Sequence, residues 1–253
     1  RERLPYQLKL SRMFAREAVG KAAALMLIDR LYREGDVFIA QGAGDLSHLA
    51  SLCRKYPGAI KTYDVDLTDP AALELFVRDV AARYPTPTHL VHLPALRVVN
   101  TRFKNFDEDR FERDMSVQIR SAVKLCKTFL PAMAKARQGR VLFMLTSYLL
   151  GAPPKNTAAY VMVKSTLQGL AKSLAADYAS FGVTVNCVMP SMMETKFLAD
   201  TSDLIVQASA EANPMKRNAR VEDVVPAMAF LLSEEAGFIT GVTLPVTGGS
   251  AFL

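Results

Sequence analysis

Short apolar runs alternate with helix-like segments along this chain, and that alternation limits the fold more than any other feature. "DVFIAQG" (36–42) reads as a strand and precedes the helical "DLSHLASLCRKY". "IKTYDVDL" precedes "DPAALELFVRDVAARY", and "HLVHLPAL" precedes one long helix over 107–138. "RVLFMLTS" leads into a helix containing "AAYVMVKSTLQGL", and "VTVNCVMP" leads through "VEDVVPAMAFLLSEEA" to "GVTLPVTGG". Strands separated by helices predict an α/β fold: a doubly wound parallel sheet with helices on both faces. Without repeats, low-complexity tracts or a Gly/Ser linker, residues 1–253 are read as one domain. Such sheets bind ligands at the carboxyl ends of their strands, near the point where strand order reverses. Ser147 and Pro190 both end strand-like runs and belong at that edge.

Composition narrows the function classes. Half of the residues are apolar and 22% are charged, which suits a globular core and argues against disorder. No apolar run approaches the ~18–20 residues of a membrane span, and "RERLPYQLKL" has no signal-peptide hydrophobic stretch. Cys53, Cys126 and Cys187 show no metal-binding spacing and fit a reducing, cytoplasmic setting. The net charge is +6, but the basic residues are scattered, so neither a nucleic-acid nor a membrane partner is expected.

Tyr160 and Lys164 are four residues apart in "AAYVMVK", so on a helix they share a face. An ammonium beside a phenol favours the phenolate, which suits proton exchange with an alcohol or ketone oxygen. The same spacing is also common on ordinary solvated helix faces.

With Ser147 thirteen residues before Tyr160, the chain has the S–x12–Y–x3–K spacing of the short-chain dehydrogenase/reductase family, which it resembles from about Gly20 to Gly249. "DVDLTD" resembles the segment whose aspartate, here Asp66, contacts adenine beside Leu67. "NCVMPSMMET" resembles the N-x-V-x-P-G-x-x-x-T stretch, with Pro190 and Thr195 in place and Ser191 where the glycine stands. The C-terminal part, from "NPMKRNARVEDVV" onward, resembles the 3-oxoacyl-carrier-protein reductase branch. The resemblance implies a Rossmann-like fold and NAD(P)H-dependent carbonyl reduction. Tyr160 would be the proton donor, and Lys164 would tune it and hold the nicotinamide ribose. Ser147 would hydrogen-bond the substrate carbonyl, and Gln118 would stand where the family has a relay asparagine. Counting forward from Gly139–Arg140 places the family serine at Thr146 instead, so one extra residue lies in this stretch.

Other positions depart from the family. Its opening T-G-x-x-x-G-x-G aligns with "MFAREAVG", leaving Gly20 but placing Phe14 and Ala18 at the other glycines. Either the loop binds pyrophosphate through a remodelled backbone, or dinucleotide binding is weakened or lost, or residues are missing near Leu10–Ser11. With binding lost, the chain would be a structural or ligand-binding partner without catalysis. N-N-A-G is replaced by "HLPA", placing His92 and Pro94 beside the cofactor, with a buried, satisfied histidine as the alternative. The second strand ends at Gln41 without the acid that marks NAD-specific members, and Arg16 is available to a 2′-phosphate, which favours NADP(H) over NAD(H).

"PSMMETKFLAD" begins the segment that caps the substrate in the family. Met192, Met193 and Phe197 would offer an acyl chain an adaptable apolar surface, or bury themselves in the core. The resemblance therefore implies a 3-oxoacyl thioester substrate. Lys135, Arg137 and Arg140 could meet an acidic acyl carrier protein or complement a helix end. It also implies a homotetramer or dimer.

Overall fold

The computed structural model describes residues 8–12, 18–44, 46–194 and 202–252. Seven strands form one sheet: β1 (Leu8–Arg12), β2 (Val37–Gly42), β3 (Ile60–Asp64), β4 (His89–His92), β5 (Gly139–Met144), β6 (Val183–Pro190) and β7 (Thr243–Val246). Their spatial order is β3-β2-β1-β4-β5-β6-β7, with every neighbouring pair parallel. The order reverses between β1 and β4, so the ligand crevice of such a sheet lies at their carboxyl ends. β1 runs through Leu10 and Ser11 to Arg12, which pairs with His92.

The strands alternate side chains between two helical layers, as their two-residue period requires. Val141 and Phe143 of β5 join one core, against α3 (Pro70–Arg83), α5 (Ser121–Ala136) and α6 (Ala158–Tyr178). Leu142 and Met144 join the other, against α1 (Ala18–Leu31), α2 (Ala50–Lys55) and α8 (Val221–Leu232). All eight residues of β6 are buried, Thr184 and Asn186 included, as a strand in a doubly covered sheet should be. A further helix, α7 (Asp203–Ala212), was not expected from the sequence.

The long helix expected over 107–138 is two helices. α4 (Glu108–Met115) and α5 are joined by a π-wound turn, Ser116–Arg120, in which the Ser121 N–H reaches back five residues to the Ser116 carbonyl. An α-helix would have sent that N–H to Val117. The Val117 carbonyl accepts instead from Ser121 Oγ at 2.6 Å. His92 Nε2, at the end of β4, lies 2.9 Å from the same Oγ. Because that hydroxyl hydrogen is already given to Val117, His92 must donate, which fixes its Nε2–H. The wide turn is thus closed by side chains and tied to the sheet.

Candidate active site

α6 carries Tyr160 and Lys164 past the carboxyl end of β5. Lys164 is 1% exposed, and its ammonium donates to the Met144 carbonyl at 2.8 Å. Its Nζ lies 5.8 Å from the centre of the half-buried Tyr160 ring. Burial pushes the Lys164 ammonium down to about 8, opposed by the Asp114 carboxylate on α4. The pair is therefore not a solvated helix face.

Beyond β5 the chain turns into a single 3₁₀ turn, Ser147–Leu149. Thr146 is buried and its hydroxyl accepts from the Tyr148 N–H at 3.3 Å, capping that turn. Ser147 is half-buried at the start of the turn, which leaves it the more accessible of the two hydroxyls. Tyr148, which sequence reasoning passed over, packs edge-on against Tyr160 at 6.0 Å between ring centres, and burial raises its phenol.

Gln118 is fully buried in the π-wound turn, and its Nε2 donates to Asp114 Oδ1 at 2.6 Å. Asp114 was also missed. Its signal was a carboxylate one turn before Gln118, on the same face of the helix. Tyr160 and Asp114 both border a small cavity of about 40 Å³, together with Arg110 and Asn156.

Three other expectations need correction. His92 is 1% exposed, bonded to Ser121 and packed edge-on against Phe143, so its ring belongs to the buried alternative rather than facing a cofactor. Gln41 is also fully buried: its amide nitrogen donates to the carbonyls of Gly42 (2.9 Å) and Val65 (2.5 Å), so it ties β2 to the exit of β3. Met193, read as a substrate contact, is 5% exposed in the core beside α8 and forms a parallel bridge with Ala219. Ala219 N–H also donates to the Met192 carbonyl (3.0 Å), and this pairing is what turns Met193 inward. Met192 remains half-buried.

Asp66 accepts from the N–H and hydroxyl of Thr68, both at 2.9 Å, and Leu67 is buried beside it. Pro94 follows β4 and Pro190 ends β6, both buried at the carboxyl edge. Gly20 lies in the first turn of α1, which Ala18 begins. Arg16, Thr195 and Phe197, like Phe14, lie outside the described residues.

The basic cluster considered for a carrier lies at the other edge of the sheet. Lys135 and Arg137 precede β5 and Arg140 is its second residue, whereas the Tyr160–Lys164 pair sits past its last. Arg140 is also spent on the Ser233 and Gly139 carbonyls, at 3.3 and 2.9 Å. A larger cavity, about 350 Å³, lies beyond β6 and β7 and is bordered by Ser191, Asn213, Arg217 and Gly248. Its Arg217 is held in a two-pronged pair by Asp223 at 2.6 and 2.8 Å. The smaller cavity is the one that Tyr160 borders. Among the described residues, no helix is long and apolar enough to cross a membrane, and no cluster of three metal-ligating side chains occurs.

A family model described as enoyl-(acyl carrier protein) reductase matches residues 11–251. The chain is 31% identical over 237 residues to the 3-oxoacyl-[acyl-carrier-protein] reductase FabG of Salmonella typhimurium, covering 93% of each chain. It is 28% identical over 191 residues to the acetoacetyl-CoA reductase of Allochromatium vinosum, covering 76% of each. Among solved structures it resembles YwfH, an NADPH-dependent reductase involved in bacilysin biosynthesis, with a TM-score of 0.82 and 20% identity over 98% of this chain and 100% of that one. At that identity the likeness is one of fold.

Proposed function

The chain belongs to the short-chain dehydrogenase/reductase family of oxidoreductases, and from that premise we propose that it reduces a 3-oxoacyl thioester to the 3-hydroxyacyl form with NAD(P)H, NADPH being preferred. The observation that carries the reading is the burial of Lys164 beside Tyr160. A buried ammonium is costly, and its place beside a phenol past the end of β5 supports a chemical role. The carrier-linked thioester is supported by the curated relatives' substrates.

The residues present suit a nicotinamide dinucleotide. Lys164 has three N–H donors and one carbonyl acceptor, Met144, leaving donors for ribose hydroxyls. At the adenosine end Gly44 has a φ of +79° with open space where a Cβ would stand, so the backbone there permits close approach. Lys164, Asp66, Leu67, Pro94, Pro190 and Thr195 would hold the cofactor, with Gly20 and Arg16 at its phosphates. When bound, it supplies the hydride that adds to the carbonyl carbon.

The chain's own part is proton transfer and orientation. Ser147 donates a hydrogen bond to the carbonyl oxygen as negative charge develops there. The Tyr160 hydroxyl gives its proton to that oxygen, yielding the alcohol and a tyrosinate stabilised by the Lys164 ammonium. Tyr148, edge-on to Tyr160, restricts the ring. Exposed Val123 on α5 and Met162 on α6 support a homotetramer built partly on these helices.

Titration with NADPH and NADH, followed by turnover of acetoacetyl-CoA, tests the reading. Saturable binding with NADPH-dependent consumption of the thioester is expected. Absence of binding at millimolar cofactor would overturn it in favour of a non-catalytic partner.

A further inference from the structure

Tyr148 sets its ring against that of Tyr160, with 6.0 Å between the centres and the planes at 82°. The turn that carries it decides this placement. Thr146 caps the turn through the Tyr148 N–H, the Leu149 N–H donates to the Thr146 carbonyl at 3.2 Å, and the Leu150 N–H donates to the Ser147 carbonyl at 2.9 Å. Leu149 and Leu150 pack on the core that α6 shares, which anchors the turn from behind. A 3₁₀ turn has about three residues per turn, so Ser147 and Tyr148 leave it roughly 120° apart. Three hydroxyl-bearing side chains thus meet past the end of β5: Ser147 and Tyr148 from one turn, Tyr160 from α6. The reduction as derived above uses two of them. The protein makes no use of the third: among the described residues the Tyr148 hydroxyl has no hydrogen-bond partner, although the side chain is half-buried. A phenol in such a place ordinarily finds one. Burial raises its pKa, so it stays protonated at ordinary pH and offers an uncharged O–H donor. A donor of that kind suits a neutral acceptor such as a carbonyl.

On the reductase reading, on which this inference rests, the carbonyl to be reduced lies between Ser147 and Tyr160. A 3-oxoacyl thioester differs from a simple ketone by a second carbonyl, two carbons from the first. We propose that Tyr148 is the residue that selects such substrates: its hydroxyl donates to the thioester carbonyl while Ser147 and Tyr160 hold the ketone. The contact is made alike before and during hydride transfer, so it acts on substrate binding rather than on the rate of the chemical step.

The test is Tyr148→Phe, which keeps a ring against Tyr160 and removes only the hydroxyl. At saturating NADPH, KM for acetoacetyl-CoA should rise about three- to tenfold, the worth of one neutral hydrogen bond. The kcat, KM for NADPH and thermal midpoint should stay near wild type. An unchanged KM overturns the proposal. A fall in kcat at unchanged KM overturns it as well, since the hydroxyl would then belong to the proton transfer. Ethyl acetoacetate keeps the second carbonyl without the coenzyme arm, so its KM should rise alike. A loss confined to acetoacetyl-CoA would assign the hydroxyl to that arm and overturn the carbonyl contact. The wild type supplies a second measurement, which stands even where Tyr148→Phe does not fold. In its complex with NADP+ and acetoacetyl-CoA isotope-labelled at the thioester carbonyl, the infrared stretch of that carbonyl should lie below its position in an aprotic solvent. Equal positions overturn the proposal. A wild type that neither binds nor reduces acetoacetyl-CoA sinks the reductase reading and this inference with it. A wild type that reduces it, matched in every constant by Tyr148→Phe, sinks the inference alone.

Discussion

The carboxyl edge of the sheet has two halves that use polar side chains in opposite ways. Around β4, β5 and β6 the polar groups converge with donors to spare: Lys164 on one carbonyl, Tyr160 beside it, Asp114 and Gln118 behind. Around β2 and β3 they close on the protein itself: Gln41 on two carbonyls, Asp66 on Thr68, and Asp64 on the Gly44 N–H at 2.8 Å. Proton transfer needs particular side chains at fixed separations, so the first half cannot vary freely. Holding the far end of a dinucleotide can rest on backbone N–H groups and shape. On the proposed reductase reading, a chain can keep its Tyr–Lys spacing while departing from the family's glycines in its first loop.

The sharpest test of that contrast is Tyr160→Phe. It removes the proton donor and keeps the ring, so turnover should fall at least about a hundredfold, with thermal midpoint and cofactor affinity near wild type. A variant within tenfold of wild-type turnover would erase the distinction between the halves.

Lys164 should next reveal itself through stability against pH. Burial lowers its pKa from 10.5 to about 8, so between those values the unfolded chain binds more protons, and stability rises with pH across that window. The gain should be ~3 kcal/mol larger in the wild type than in Lys164→Met when urea unfolding is compared at pH 7.5 and 10.5. Equal slopes would mean that the lysine is solvated.

In the other half, Gln41→Leu should cost roughly 1–3 kcal/mol of stability by taking the amide donor from the buried Val65 carbonyl, the Gly42 carbonyl keeping the Val65 N–H. Its kcat should stay near wild type, and a fall as large as that of Tyr160→Phe would show that the halves are not separable. The smallest effect is expected from replacing Phe14 and Ala18 with glycine: NADPH should bind a few-fold more tightly if bulk is what that loop has gained. Weaker binding would mean that the loop has its own geometry.

Much of this organisation was legible in the sequence. Short, mostly apolar, β-branched runs such as "VTVNCVMP", set between helix-like segments, fit strands covered on both faces, and the Tyr160–Lys164 spacing survives any small error in helix boundaries. What escaped was set by direction rather than by type. Asp114 reads as one more charge on a charged helix until α4 is seen to turn it inward. Met193 reads as an adaptable contact until backbone pairing with Ala219 places it in the core. Lys135, Arg137 and Arg140 form a basic cluster in any reading, but only the start of β5 shows which edge they occupy.

The π-wound turn acts as a phase slip. A regular α-helix advances about 100° per residue, so a turn with one residue more than the α-helical count lets α4 and α5 face the sheet with independent rotations. Deleting one residue within Ser116–Arg120 would force the two into step. Either Asp114 or the core row of Leu125, Phe129 and Met133 would then swing away from the sheet. The segment therefore behaves as a rotary coupling between a helix that turns Asp114 inward and one that holds the core, and its length matters more than the identity of most residues in it.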